Sequence, residues 1–209
     1  MSLILLVALQ AAGPADPDSR LYSDCVRAVG ADAAAAERRA EVWRASGGGY
    51  LARQCLGLAL AQQDKFAAAA AAFEDAARAA EIARAPRSAT LWAEAGNAWL
   101  AGGEASKART ALDTALADGT FEGLQRGEAL LDRARALTAG GQTAAARVDL
   151  DAALGLAAAD PLAWLLSATL ARRTGDLPRA KKDIAEALRL SANDASVQLE
   201  AGNIAAAEG

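Results

Sequence analysis

Small and large apolar residues recur in phase along most of this chain. Trp92, Ala95, Gly96 and Trp99 share one helical stripe, Gly103 interrupts it, and Ala108, Leu112 and Ala115 form a second stripe. Apolar positions three and four apart mark the buried face of a helix, and a glycine between two such runs marks a turn. The unit reads as a helical hairpin, and it repeats. Upstream, Leu56, Gly57 and Leu60 lead to Phe66, Ala69, Phe73 and Ala76. Downstream, Leu130, Ala134 and Leu137 lead through Gly141 to Ala146, Leu150 and Ala153. A fourth unit runs from Trp164, Ala168 and Ala171 through Gly175 to Ala180, Ile184 and Ala187, and Ala201, Gly202 and Ala205 open a fifth. Unit starts at Tyr50, Ala89, Gly127, Pro161 and Ala195 lie 39, 38, 34 and 34 residues apart. The surplus falls at 80–88 and 118–126, where Pro86, Gly119 and Gly123 predict longer connections.

Ahead of the array, 20–29 and 33–45 read as two helices. Asp18 or Ser19 and Asp32 are their expected N-caps, and Gly30 and Gly47-Gly48-Gly49 their stops. Tyr22, Val26 and Trp43 are expected to pack on the first hairpin. The organisation is then 16–49 as an N-terminal cap and 50–207 as four hairpins with a truncated fifth. Small residues in phase at Gly57, Gly96, Ala134, Ala168 and Gly202 allow close approach of crossing helices, while the large residues fill the space between neighbours. A single hairpin cannot bury its apolar face alone, so hairpins stack. Composition agrees. Of 209 residues 61 are alanine, 53 % are hydrophobic but only 4 % aromatic, and proline numbers 5. Alanine is the best helix former, so a β-sandwich or barrel is excluded.

The spacing of Trp92, Ala95, Gly96 and Trp99, followed by Ala108, Leu112 and Ala115, resembles the tetratricopeptide repeat. Its pattern is W-x-x-L-G-x-x-Y and then A-x-x-x-F-x-x-A. Here alanine stands for leucine, tryptophan for tyrosine and leucine for phenylalanine, and the family's helix-ending proline is missing. The resemblance covers about residues 50–207. It implies an all-α, right-handed α-α superhelix of tetratricopeptide-like helical hairpins, with the first helix of each pair lining a concave groove that holds a peptide. On that groove it places Gln54 and Gln62, Asn97, Leu131 and Arg135, then Thr169, Arg172 and Arg173, and finally Asn203. Asparagine can bond a peptide backbone as donor and acceptor. Arg135, Arg172 and Arg173 imply an acidic segment in the protein or peptide partner. No lysine occurs on these helices, so clamping of a C-terminal carboxylate by paired lysine and asparagine is not expected.

Charge and chemistry narrow the function. Lys plus Arg total 22 and Asp plus Glu 26, for a net −4, and no basic run exceeds two residues. Such a chain repels phosphate backbones on average, which argues against a nucleic-acid partner. With no histidine, Ser-His-Asp and Cys-His nucleophiles and histidine-bearing metal sites are excluded. Gly47-Gly48-Gly49 lacks the Lys-Ser/Thr of a phosphate loop and reads as a hinge. Asp113, Asp149 and Asp151 are expected on solvated faces. Ser106 and Lys107 are adjacent on a helix and do not face each other. Trp92, Trp99 and Trp164 fall at packing positions and read as core. No catalytic residue, metal or cofactor is expected. The chain reads as a non-catalytic protein-binding scaffold. Two alternatives stay open: a self-assembling structural part of an envelope complex, and a helical appendage of a larger enzyme.

The ends carry a further expectation. Leu3–Leu9 is apolar and followed by small residues up to Ala15. It is too short to span a membrane but fits a signal peptide over 1–15, the alternative being a buried helical turn. Export to a bacterial-type envelope, periplasmic or secreted, would follow. Cys25 and Cys55 would then pair in a disulfide, or remain two buried thiols. Glu208-Gly209 interrupts the pattern and reads as vector-derived, with the natural chain continuing. Val197, Leu199, Ala201, Ile204 and Ala205 predict a bare apolar strip on the last helix, which invites a homodimer.

Overall fold

The computed structural model describes residues 17–207, and every regular element among them is an α-helix. The apolar run Leu3–Leu9 and the pair Glu208-Gly209 lie outside the described residues. The helices are α1 (Pro17–Ala31), α2 (Ala33–Ala45), α3 (Gly49–Ala61), α4 (Phe66–Ile82), α5 (Ser88–Ala101) and α6 (Ala105–Ala117). They continue with α7 (Gly123–Ala139), α8 (Thr143–Leu156), α9 (Pro161–Arg173), α10 (Leu177–Leu190) and α11 (Ala195–Ala206). Each packs on its chain neighbours, and α5, α7, α9 and α11 also touch in succession, so hairpins stack side by side. None of these helices is long and apolar enough to cross a membrane.

The hairpin turns are built alike. At the ends of α3, α5, α7 and α9 the chain passes through one left-handed residue: Asp64, Gly103, Gly141 and Gly175, with φ of 57°, 77°, 76° and 82°. The following amide then reaches back five residues, as in Lys65 N–H to Leu60 O and Glu104 N–H to Trp99 O at 3.0 and 2.9 Å. This closes the helix end by giving carbonyls of its last turn amide partners. The starts of α2, α9, α10 and α11 are fixed by aspartates, Asp32, Asp160, Asp176 and Asp194, whose carboxylates accept first-turn amide protons.

Within each hairpin the helices cross at the small residue. A Cβ built on Gly57 would lie 2.6 Å from Phe73, and one on Gly96 would lie 2.5 Å from Leu112. Ala134 with Leu150 and Ala168 with Ile184 repeat the arrangement sixteen residues apart, and all four of these side chains are buried. Around them the core is largely alanine, which brings helices close together at the expense of area buried per residue.

Several expectations need correction. Asp18 and Ser19 lie inside α1 rather than capping it, and α1 runs through Gly30 to Ala31. The connections at 83–87 and 118–122 are only one residue longer than those at 157–160 and 191–194, so most of the surplus lengthens helices instead. Both α4 and α7 run to 17 residues against 13 or 14 for the others of the array up to α10, leaving connections 83–87 and 118–122. Val26 does not pack on the first hairpin and is 45 % exposed, whereas Tyr22 and Trp43 do pack there. On α11, Val197 and Ile204 are buried in the last apolar cluster with Ala168 and Ile184; of the large residues in the expected strip only Leu199 stands bare.

Candidate peptide-binding site

The first helices of the hairpins, α3, α5, α7 and α9, with α11 beyond them, form one face. The residue two places before each small crossing residue lies at the junction with the preceding first helix. On α3 that residue is Cys55, which is disulfide-bonded to Cys25 of α1 with Cα atoms 6.1 Å apart. On α5 it is Glu94, whose carboxylate oxygens accept from Gln54 Nε2 at 2.9 and 3.0 Å. On α7 it is Asp132, accepting from Asn97 Nδ2 at 2.8 Å. On α11 the same register position is Glu200, held by Arg172 through Nε at 2.7 Å and Nη2 at 3.2 Å, although Gly202 itself is exposed and, contrary to expectation, no helix among the described residues crosses closely over it. Only α9 departs: its residue at this position is Leu166.

Between α7 and α9 lies a recess of about 250 Å³. Arg135 and Thr138 border it from α7 and Thr169 and Arg173 from α9, over an apolar floor that includes Leu150, Leu166 and Leu170. The Arg135 guanidinium gives one Nη to Asp132 at 3.1 Å and stands exposed. Thr138 donates its hydroxyl proton to Ala134 O at 2.8 Å. Arg173 is exposed and has no ion-pair partner among the described residues.

The residues expected in the groove divide accordingly. Arg135, Thr169 and Arg173 come together at the recess. Asn97 is exposed but engaged by Asp132, and Asn203 is exposed with its Nδ2 3.4 Å from Glu200. Gln62 is exposed at the C-terminal cap of α3. Gln54 and Leu131 drop out as contacts, being 1 % and 3 % exposed; the first is turned into the α3–α5 junction and the second into the core. Arg172 is not a free cation, because Glu200 holds its guanidinium in a paired hydrogen bond and raises its pKa. Sequence reasoning missed Glu94, Asp132, Glu200 and Leu166. Their signal was present as a carboxylate two residues before the crossing residue on three of the four first helices from α5 onward.

Other candidates resolve on packing. Asp149 is buried rather than solvated, bound by Arg133 through Nε and Nη2 at 2.7 Å each. Asp113 takes a third bond from Arg133 at 3.0 Å, and Asp151 pairs with Arg179 and Arg147. Trp99 is buried with its indole N–H on Glu74, while Trp92 and Trp164 are partly buried and bonded to Glu81 and the Ala158 carbonyl.

No protein-family model and no curated protein matches the chain. Solved structures do match in shape. MamA 41-end from Desulfovibrio magneticus RS-1 superposes with a TM-score of 0.70 at 15 % identity, over 86 % of this chain and 98 % of that one. YrrB, a TPR protein with an unusual peptide-binding site, gives 0.60 at 18 % identity over 80 % and 82 %. The Cut9–Hcn1 hetero-tetramer of the APC/C gives 0.66 at 15 % identity over 91 % of this chain, which spans only a third of that one. The fold is thus the right-handed α-α superhelix of tetratricopeptide-like hairpins.

Proposed function

We propose that the chain is a non-catalytic scaffold that holds an acidic segment of a partner protein along the face of α3, α5, α7 and α9. The observation that carries this reading is the recess between α7 and α9, where two exposed guanidiniums flank an apolar floor on an otherwise acidic protein. The reading extends to an exported location. It is supported by the Cys25–Cys55 disulfide, since such bonds persist in oxidising compartments.

The test uses a photo-crosslinking residue at Thr169 or Asn97, with Ala145 on α8 as the control, in the full chain exposed to envelope extract. Partner adducts form at Thr169 and Asn97 and not at Ala145. Binding of the identified partner weakens with added salt over the physiological range and is abolished in the Arg135→Glu/Arg173→Glu variant, with its helicity retained. An acidic partner that binds this double variant as well as the parent overturns the reading.

A further inference from the structure

Four of the five junctions between successive first helices are closed by one register position. It acts through a covalent bond at α1–α3, an amide–carboxylate bond at α3–α5, an amide–carboxylate bond at α5–α7 and a guanidinium–carboxylate pair at α9–α11. At α7–α9 the chain supplies Leu166 instead, and cationic donors gather where a carboxylate is missing. We infer that this junction is a carboxylate-binding site, completed by a glutamate or aspartate side chain of a bound peptide in place of the link the chain makes for itself elsewhere. The inference rests on the reading of this face as the binding surface and names the chemistry of one position on it.

The geometry selects the ligand. Arg173 is uncommitted and Arg135 spends one nitrogen on Asp132, so donors remain for a carboxylate. Guanidinium binds carboxylate with two parallel bonds, an arrangement that the Arg172–Glu200 pair already displays one junction away. The Thr169 hydroxyl adds a donor at the rim. The floor of Leu150, Leu166 and Leu170 suits an aliphatic side chain next to the acidic one. A volume near 250 Å³ falls below the ~300–1,000 Å³ of small-molecule sites, which favours side chains of a peptide over a cofactor.

The probes are three peptides: acetyl-Gly-Leu-Glu-Leu-Gly-amide, its Gln counterpart, and the Gln sequence with a free C-terminus. Binding is followed by backbone amide shifts of the full chain. The Glu peptide moves the amides of Thr138 and Thr169 and binds about tenfold or more tightly than the Gln amide. Arg173→Gln reduces that binding about tenfold. Leu166→Glu, which supplies the missing carboxylate from the chain itself, blocks it. Equal binding of the Glu and Gln amides at these residues overturns the site, and binding by the free-terminus peptide alone overturns the assignment to a side chain. Shifts confined to α3 and α5 remove this site while leaving the wider reading of the face intact. No shift on any of the four helices, together with no adduct at Thr169 or Asn97, removes both.

Discussion

Glu94 and Gln54 face each other across the α3–α5 junction with an imperfect match. Gln54 gives its amide nitrogen to the carboxylate, and its own buried oxygen has no hydrogen-bond partner. Burial pushes the Glu94 carboxyl above its ordinary pKa, against the opposing pull of the Gln54 bond and of Arg87. A carboxyl whose folded-state pKa is raised is held protonated more strongly in the folded chain. Its contribution to stability is therefore greatest below the unfolded value of about 4.3 and is lost as pH rises through the folded one. Glu94→Gln removes the charge and provides an N–H for the orphaned Gln54 oxygen, while the new amide oxygen accepts from Gln54 Nε2. The variant is expected to be more stable than the parent by about 1 kcal/mol at pH 7 and nearly equal to it at pH 4. Denaturant unfolding at both pH values checks this. A variant that is less stable at pH 7, or shifted equally at both, would show that burial of the charge does not set the balance.

The same position on successive hairpins is solved in two chemistries. The residue before the crossing position is Leu56 on α3 and Ala95 on α5, packed near Ala72 and Ala111 of the second helices, and all four are buried. On α7 and α8 the equivalent pair is Arg133 and Asp149, and on α9 and α10 it is Ser167 and Asp183, which share a 2.5 Å hydrogen bond. A buried ion pair offsets much of its own attraction by desolvation, while removing one partner strands the other. Asp149→Ala should therefore cost about 3 kcal/mol. Arg133→Leu/Asp149→Ala, which copies the solution of the first hairpin, should return to within about 1 kcal/mol of the parent. Unfolding midpoints of the single and double variants decide; a double variant less stable than Asp149→Ala alone would rule the account out. Such pairs explain what the sequence could and could not show. The crossing pairs Gly57–Phe73 and Gly96–Leu112 were legible because a fixed steric need repeats at a fixed spacing. The recess was half legible: Arg135, Thr169 and Arg173 were on the right helices. The burial of Gln54 and Leu131 and the capture of Arg172 depend on how each helix is rolled about its axis and on acids 28 to 40 residues away, which no local spacing encodes.

At the scale of the whole molecule, the array is a chain of nearest-neighbour interfaces, so its stability need not be uniform. The weakest attachment is α1. It has no buried residue, whereas α3 alone has seven. Its ties are the Cys25–Cys55 bond, the partly buried Tyr22 beneath the Arg87 guanidinium at 5.6 Å, and packing on α2 and α3. The disulfide spans 30 residues, a loop whose closure lowers the entropy of the unfolded chain by the equivalent of about 3.5 kcal/mol. Cys55 itself is buried among Ala40, Leu56 and Phe73 and retains that packing as a thiol. Loss of the bond should therefore release α1 without dissolving the stack. Hydrogen exchange of the reduced protein, and of Cys25→Ser, is expected to show 17–31 losing protection, while α5 to α10 keep most of theirs. Because Trp43 covers Gly48 and borders the space beside Cys25, a change in its fluorescence should accompany the release. If reduction unfolds the chain in a single step, the first hairpin depends on α1 far more than its burial indicates. If α1 stays protected, its packing on α2 and α3 is sufficient without the bond. Either result would defeat the view that one covalent link holds the end of the array.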